Sequence, residues 1–252
     1  MKTDTLSIIA NQRKLGSVSF RANRLAFSYD PAWQVDPESF PLSISMPLTS
    51  RNHPHDVIEP YLWGLLPDNQ SVLDQWGKQF HVSPRNVFSL LTHVGEDCPG
   101  AIQFTSEEKE ETFLNQPSTE TVDWMDETQL AHLIQKVREN QGIQRTASDQ
   151  GQFSLAGAQP KTALYRSQDT GVWGVPRGLT PTTHILKPAP GDFDGFAENE
   201  HFCLQLAAAL GIATAESSVI HTAETSVIVV KRYERFVSSG QHHRIHQEDF
   251  CQ

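Results

Sequence analysis

One word of the sequence constrains the fold more than any other: Ser154-Leu-Ala-Gly-Ala-Gln-Pro-Lys-Thr162, followed 25 residues later by the lysine of Thr183-His-Ile-Leu-Lys187-Pro188. Small residues at a turn let the backbone approach a ligand without Cβ interference. Lys187 ends a β-type run and supplies a matching positive charge. A glycine turn and a strand lysine read together as a nucleotide site. Both must be carried by strands, so the C-terminal part of the chain needs a sheet.

The rest of the chain divides around that sheet. Residues 5–30 alternate apolar and polar positions about turns at Asn11-Gln12 and Ala22-Asn23, which predicts an antiparallel meander. Leu42–Met46 reads as another short strand. The period then changes, and 57–66, 72–80 and 84–91 read as short helices, the third opening at Ser83-Pro84 with serine as cap. Ala101–Phe104 predicts a strand. The acidic stretch from Thr105 to Thr121 reads as a surface connection, and Asp126–Glu139 as an amphipathic helix with Leu130, Leu133, Ile134 and Val137 on one face.

Beyond Gly151, residues 161–166 and 171–175 predict a hairpin, with His184–Lys187 as a third strand. Glu198–Leu210 reads as a helix, with Phe202, Leu206, Ala209 and Leu210 sharing a face and Gly211 ending it. Two further strands follow at 219–221 and 226–230. The expected class is α+β. Residues 1–105 form an N-terminal domain of mixed strand and helix, 106–150 an acidic linker and amphipathic helix, and 151–252 an antiparallel sheet with one helix.

Thirty acidic against twenty basic residues give a formal charge of −10, which argues against a stand-alone nucleic-acid binder. No run of 18 apolar residues or basic-then-apolar leader occurs, so neither a membrane span nor a signal peptide is expected. Cys98, Cys203 and Cys251 are odd in number and widely spaced, which fits a reduced cytoplasmic setting. His53-Pro-His55 and His242-His-Arg-Ile-His246 lack cysteine or acidic partners at ligand spacing and read as surface histidines, so no metal site is expected. Gly191-Asp-Phe-Asp-Gly195 imitates a kinase metal triplet by its letters but precedes the helix, and reads as a loop.

The order of glycine loop, strands, lysine strand, helix and further strands is that of a protein-kinase N-lobe. The words resemble the HipA family, the serine/threonine-kinase toxins of bacterial type II toxin–antitoxin modules. They are Leu65-Leu-Pro-Asp68, the 154–162 loop, Gly178 to Lys187, Glu198-Asn-Glu200, Lys231-Arg-Tyr-Glu-Arg235 and Gln247 to Gln252. The resemblance implies an ATP site made by Leu155, Ala156, Gly157, Ala158 and Gln159, by Lys187 held by Glu200, and by a hinge at Lys231, Arg232 and Tyr233. It places an inhibitory autophosphorylation site at Ser154 and implies Mg-ATP as cofactor. It also implies a small DNA-binding, HipB-like antitoxin as partner, with DNA reached only through it. The implied substrate is a protein of the translation apparatus such as an aminoacyl-tRNA synthetase.

The resemblance puts the catalytic aspartate and the magnesium ligands beyond Gln252, so none is expected in this chain, which should be inactive alone. A chain ending there should also expose an apolar rim near Val227–Val230 and associate. The competing expectation is a non-catalytic interaction subunit of a split or disrupted system, binding the antitoxin or a separate kinase lobe.

Overall fold

A computed structural model describes residues 4–115, 121–139, 155, 157, 159–189, 195–222, 225–238 and 241–249. Strands β1 (Asp4–Ala10), β2 (Arg13–Arg21) and β3 (Arg24–Tyr29) form the meander that the alternation predicts. Each reversal uses two residues of positive φ, Asn11 (45°) with Gln12 (63°) and Ala22 (50°) with Asn23 (61°). That turn geometry matches the right-handed twist of the strands it joins.

Helix α1 (Pro31–Val35) is capped by Asp30, whose Oδ1 accepts from the Ala32 N–H at 2.8 Å. The strand predicted at Leu42–Met46 is instead a tight turn, in which the Met46 N–H donates to the Ser43 carbonyl at 2.9 Å. Tyr29 takes the role of a neighbouring strand: its hydroxyl donates to the Met46 carbonyl and accepts from the Leu42 N–H at 2.8 Å. After β4 (Asn52–Pro54) come α2 (His55–Gly64), α3 (Gln70–Phe80) and α4 (Val87–Val94). The last begins at Val87 rather than Pro84. Asn86 is its cap, accepting from the Ser89 N–H at 3.1 Å, while Ser83 closes a separate turn before it.

Strand β5 (Ile102–Ser106) pairs with β1 and completes a sheet of order β4-β3-β2-β1-β5. Its apolar face and the helices share one core that includes Ile8, Phe27, Leu62, Leu91 and Phe104. The acidic stretch after β5 is not a free connection as far as Asn115. It forms a 3-10 turn and helix α5 (Glu110–Asn115), with Phe113 buried. Glu110 is drawn onto the sheet by Lys14 Nζ at 2.8 Å and by the Ser7 hydroxyl.

The second sheet has the order β10-β11-β9-β7-β8-β6. It comprises β6 (Val122–Trp124), β7 (Thr162–Arg166), β8 (Trp173–Pro176), β9 (His184–Pro188), β10 (Ser217–His221) and β11 (Ser226–Lys231). Helix α6 (Glu127–Glu139) covers one face, with Ile134 packed among Leu164, Trp173, Leu186 and Val227. Residues 121–139 therefore supply an edge strand and a covering helix to this sheet. Successive strand residues point to opposite faces, so Lys187 leaves the face opposite Leu186. Helix α7 (Phe196–Ala209) meets it there.

The predicted inward face of α7 is turned outward. Phe202 is 64% exposed, Leu206 49% and Leu210 72%. The helix docks through polar groups instead, Glu200 to Lys187 and His201 Nδ1 to the Ser217 hydroxyl at 2.9 Å. The apolar rim expected at Val227–Val230 is absent. Strand β11 lies between β10 and β9, and Val227, Ile228 and Val229 are buried. A hairpin of β12 (Arg235–Ser238) and β13 (Gln241–Arg244) follows.

Candidate functional site

The glycine loop enters β7 against the first unit. Leu155 is buried within the core that also holds Leu65 and Leu66, and Ala163 of β7 joins the same cluster. Gly157 has φ +101°, a conformation that disfavours any Cβ. A Cβ there would also come within 2.7 Å of Lys161 Nζ. Lys161 donates to the Gly157 carbonyl at 2.9 Å and so closes the turn from within. Ser154, Ala156 and Ala158 lie outside the described residues.

Across the sheet, Lys187 Nζ donates to Glu200 Oε1 at 2.7 Å. The partners are 13 residues apart in sequence and meet because α7 crosses the lysine strand. Both side chains are half-buried, which strengthens the pair relative to one in open water.

Sequence reasoning left Lys161 without a role, although it stands inside the most restrictive word of the chain. It is buried, and that burial, then the charge of Lys187, brings its pKa down to about 8. Asp68 and Glu200 act in the opposite direction. Two amines and the carboxylates of Asp68 and Glu200 thus share one electrostatic neighbourhood. Asp68 belongs to the Leu65-Leu-Pro-Asp68 word, so the N-terminal unit contributes charge to the site. The available signal was a lysine just before a buried strand, next to a proline that ends the loop.

The groups present suit a polyphosphate: a glycine turn that a Cβ would obstruct, and two lysines beside it. Gln159 adds a buried amide nitrogen with no hydrogen-bond partner among the described residues. The donor set therefore fits a polyphosphate such as that of ATP.

The expected hinge separates into three different situations. Lys231 pairs with Glu216 at 3.0 Å and is exposed at the end of β11. Tyr233 is 65% exposed, its hydroxyl bonded to Gln247. Arg232 is fully buried, and its N–H donates to the Thr183 carbonyl at 2.9 Å. Its guanidinium and its N–H are both bonded inside the protein, whereas the resemblance implies a hinge that meets adenine through its backbone.

Arg232 instead belongs to a buried ionic lattice that the sequence did not reveal. Asp97 accepts from Arg235 Nη2 at 3.1 Å, from Arg232 Nη1 at 3.3 Å, from the Thr182 hydroxyl at 2.7 Å and from Arg244. Glu234 takes two bonds from Arg232, at 2.9 and 2.8 Å. Burial opposes the charge on Asp97, yet Arg244, Arg232 and Arg235 outweigh it and hold the carboxyl well below the usual range. Burial, and then the Asp97 charge, pushes the neighbouring Cys98 thiol up to about 12. The lattice ties the 97–100 turn of the first unit to the end of the second sheet.

The first of the two histidine words is also placed. His53 is buried and stacked on Phe27 rather than at the surface, and His55 Nδ1 accepts the Leu25 N–H at 3.2 Å. The neighbourhood of a β-sheet edge gives these imidazoles structural partners. Of the 191–195 word only Gly195 is described, as the residue preceding α7.

Comparison with known proteins agrees with this arrangement. Residues 6–105 match the HipA N-terminal domain and residues 153–252 the HipA-like C-terminal domain. Y4mE of Sinorhizobium fredii, which carries a kinase name, is 34% identical over 234 residues, 92% of this chain and 54% of its own length. The serine/threonine-protein kinase toxin HipA of Shewanella oneidensis is 29% identical over 258 residues, 100% of this chain and 55% of its own. A solved complex of Shewanella oneidensis HipA with HipB and operator DNA contains a similar fold, with TM-score 0.74 and 26% identity, covering 96% of this chain and 54% of that one. The chain spans about half the length of these relatives.

Proposed function

Because the chain belongs to the HipA family, we propose that it carries the ATP-binding half of a serine/threonine protein kinase of a toxin–antitoxin module. The contact between Lys187 and Glu200 carries the reading, since it holds the strand amine where it meets nucleotide phosphates in kinases. Lys187 would neutralise the α- and β-phosphates, with Glu200 as its positioning partner. Gly157 and its neighbours would present backbone N–H groups to the same oxygens, and the backbone of the 231–233 segment would border the adenine. Mg-ATP supplies the phosphoryl group when bound. Ser154 would be the inhibitory phosphorylation site, because added phosphate beside this loop repels those of ATP.

The similar Shewanella oneidensis structure holds HipB and DNA, which supports a HipB-like antitoxin as partner. The net charge of −10 supports leaving DNA contact to that partner. A protein of the translation apparatus, such as an aminoacyl-tRNA synthetase, is the proposed substrate class, with growth arrest in the cytoplasm as the outcome. No described helix is long and apolar enough to cross a membrane. The kinase names of the relatives favour this reading over a non-catalytic interaction subunit.

The test is calorimetric titration of the chain with ATP and magnesium. Saturable binding that is lost in Lys187→Ala and weakened in Glu200→Gln is expected. Binding indifferent to both substitutions would sink the proposal.

A further inference from the structure

A cavity of about 570 Å³ opens at the far end of the second sheet, between β7, β9, the end of β11 and the β12–β13 hairpin. It is separate from the lysine cleft. His184 is three residues from Lys187 on one strand and so faces the opposite side of the sheet. Lys231 pairs with His184, and Arg166 lies two residues from His184's other partner, Leu164, so both share that opposite side.

The chemistry of the wall is one-sided. Arg166, His184, Lys231, Arg235 and His242 line it, and no carboxylate among the described residues does, in a chain with a net charge of −10. The Arg235 charge is met by Asp97, and Lys231 is met by Glu216 from outside the cavity. Arg166 is different, because no carboxylate pairs with it among the described residues. Its guanidinium lies 5.0 Å over the Trp173 ring, and its Nε donates to the Gly171 carbonyl at 3.3 Å. The indole and that bond orient the planar fork while leaving its charge unmatched. Consistent with a positive field, burial and then Arg166 and Lys231 bring the His184 pKa down to about 4.

We infer that this cavity binds the phosphoryl group of a small phosphomonoester, with Arg166 as the principal ligand and Lys231 as a second cation. Guanidinium matches phosphate oxygens in a bidentate fork, and a preoriented one loses less freedom on binding. Phe236 and Val237 of the hairpin also line the cavity and offer an apolar wall for whatever the phosphoryl group is attached to.

The experiment is amide and Arg Nε–H NMR of the whole chain titrated with inorganic phosphate, with AMP and with free phosphoserine at constant ionic strength. Saturable shifts centred on Arg166, Gly171 and Thr183 are expected, unchanged in Lys187→Ala and lost in Arg166→Gln, with Arg166→Lys intermediate. Tighter binding of AMP assigns a nucleotide source, and tighter binding of phosphoserine a phosphorylated side chain. No saturation by about 10 mM phosphate, or shifts that follow Lys187 instead, would overturn the inference. The location of the shifts in the wild-type chain decides the matter even if Arg166→Gln does not fold.

Discussion

Lys161 Nζ reaches back four residues to the Gly157 carbonyl at 2.9 Å, so the glycine turn is closed by a lysine from its own sequence word. Lys161 is also buried, with a pKa lowered to about 8. An amine that titrates there is charged at neutral pH and neutral in mild alkali. Below about pH 8 the folded protein holds a charge that burial disfavours. Between about 8 and the usual lysine value of 10.5 the unfolded chain binds more protons, so this group's penalty is relieved as pH rises. Lys161→Met is expected to flatten that alkaline rise in stability, read from denaturant midpoints at a series of pH values.

The same titration bears on nucleotide affinity with the opposite sign. Polyphosphate favours the charged amine, so ATP binding is expected to weaken as pH rises through about 8 in the wild-type chain. Lys161→Arg keeps its charge and removes the decline. Calorimetry at several pH values checks this, and an unchanged decline in the arginine variant would show that another group titrates.

Lys187 and Glu200 separate stability from function. Their pair is half-buried, so breaking it is expected to cost at most about 1 kcal/mol in folding. Lys187→Ala is nevertheless expected to remove ATP binding. The melting temperature should move little while affinity collapses, and large losses of both together would mean that the pair is structural.

Asp97 behaves in the reverse way. Removing one carboxylate leaves buried guanidinium groups without a counter-charge, which typically costs about 3–5 kcal/mol. Asp97→Ala is therefore expected to unfold at markedly lower denaturant than wild type. Its folded pKa lies below the unfolded one, so its stabilisation is complete above the unfolded value of about 4 and is lost as pH falls below it. Acid titration of wild type and variant should converge at low pH.

Much of this fold was legible because its signals are local. Alternation fixed β1 to β3, and the residues Asn11-Gln12 and Ala22-Asn23 fixed their turns. The lysine strand and its helix were legible through one family-like word each. Arg232, Arg235 and Arg244 were not, because their partner Asp97 is more than a hundred residues away and no local period marks a buried charge. The α7 face was misread for a related reason. Periodicity shows that Phe202, Leu206 and Leu210 share a side, but not whether anything covers it.

That uncovered side yields a solution prediction. Phe202, Leu206 and Leu210, spaced four residues apart, and Ile212 after them are exposed, and uncovered apolar surface promotes association. The chain is expected to self-associate in sedimentation at tens of micromolar, roughly. The double variant Phe202→Asp, Leu206→Lys should sediment as a monomer. A wild-type monomer under the same conditions would contradict this.

Leu155 seats the start of the glycine loop inside the first unit's core, and Asp97 of that unit neutralises arginines of the second. A seam near Gly151 is therefore a division of the text and not of the cohesion. Expressing residues 151–252 alone would strand a leucine in water and leave three guanidinium groups with one carboxylate between them. The two halves inherit one another's stability, and a lesion in the meander can unseat the glycine loop without touching it.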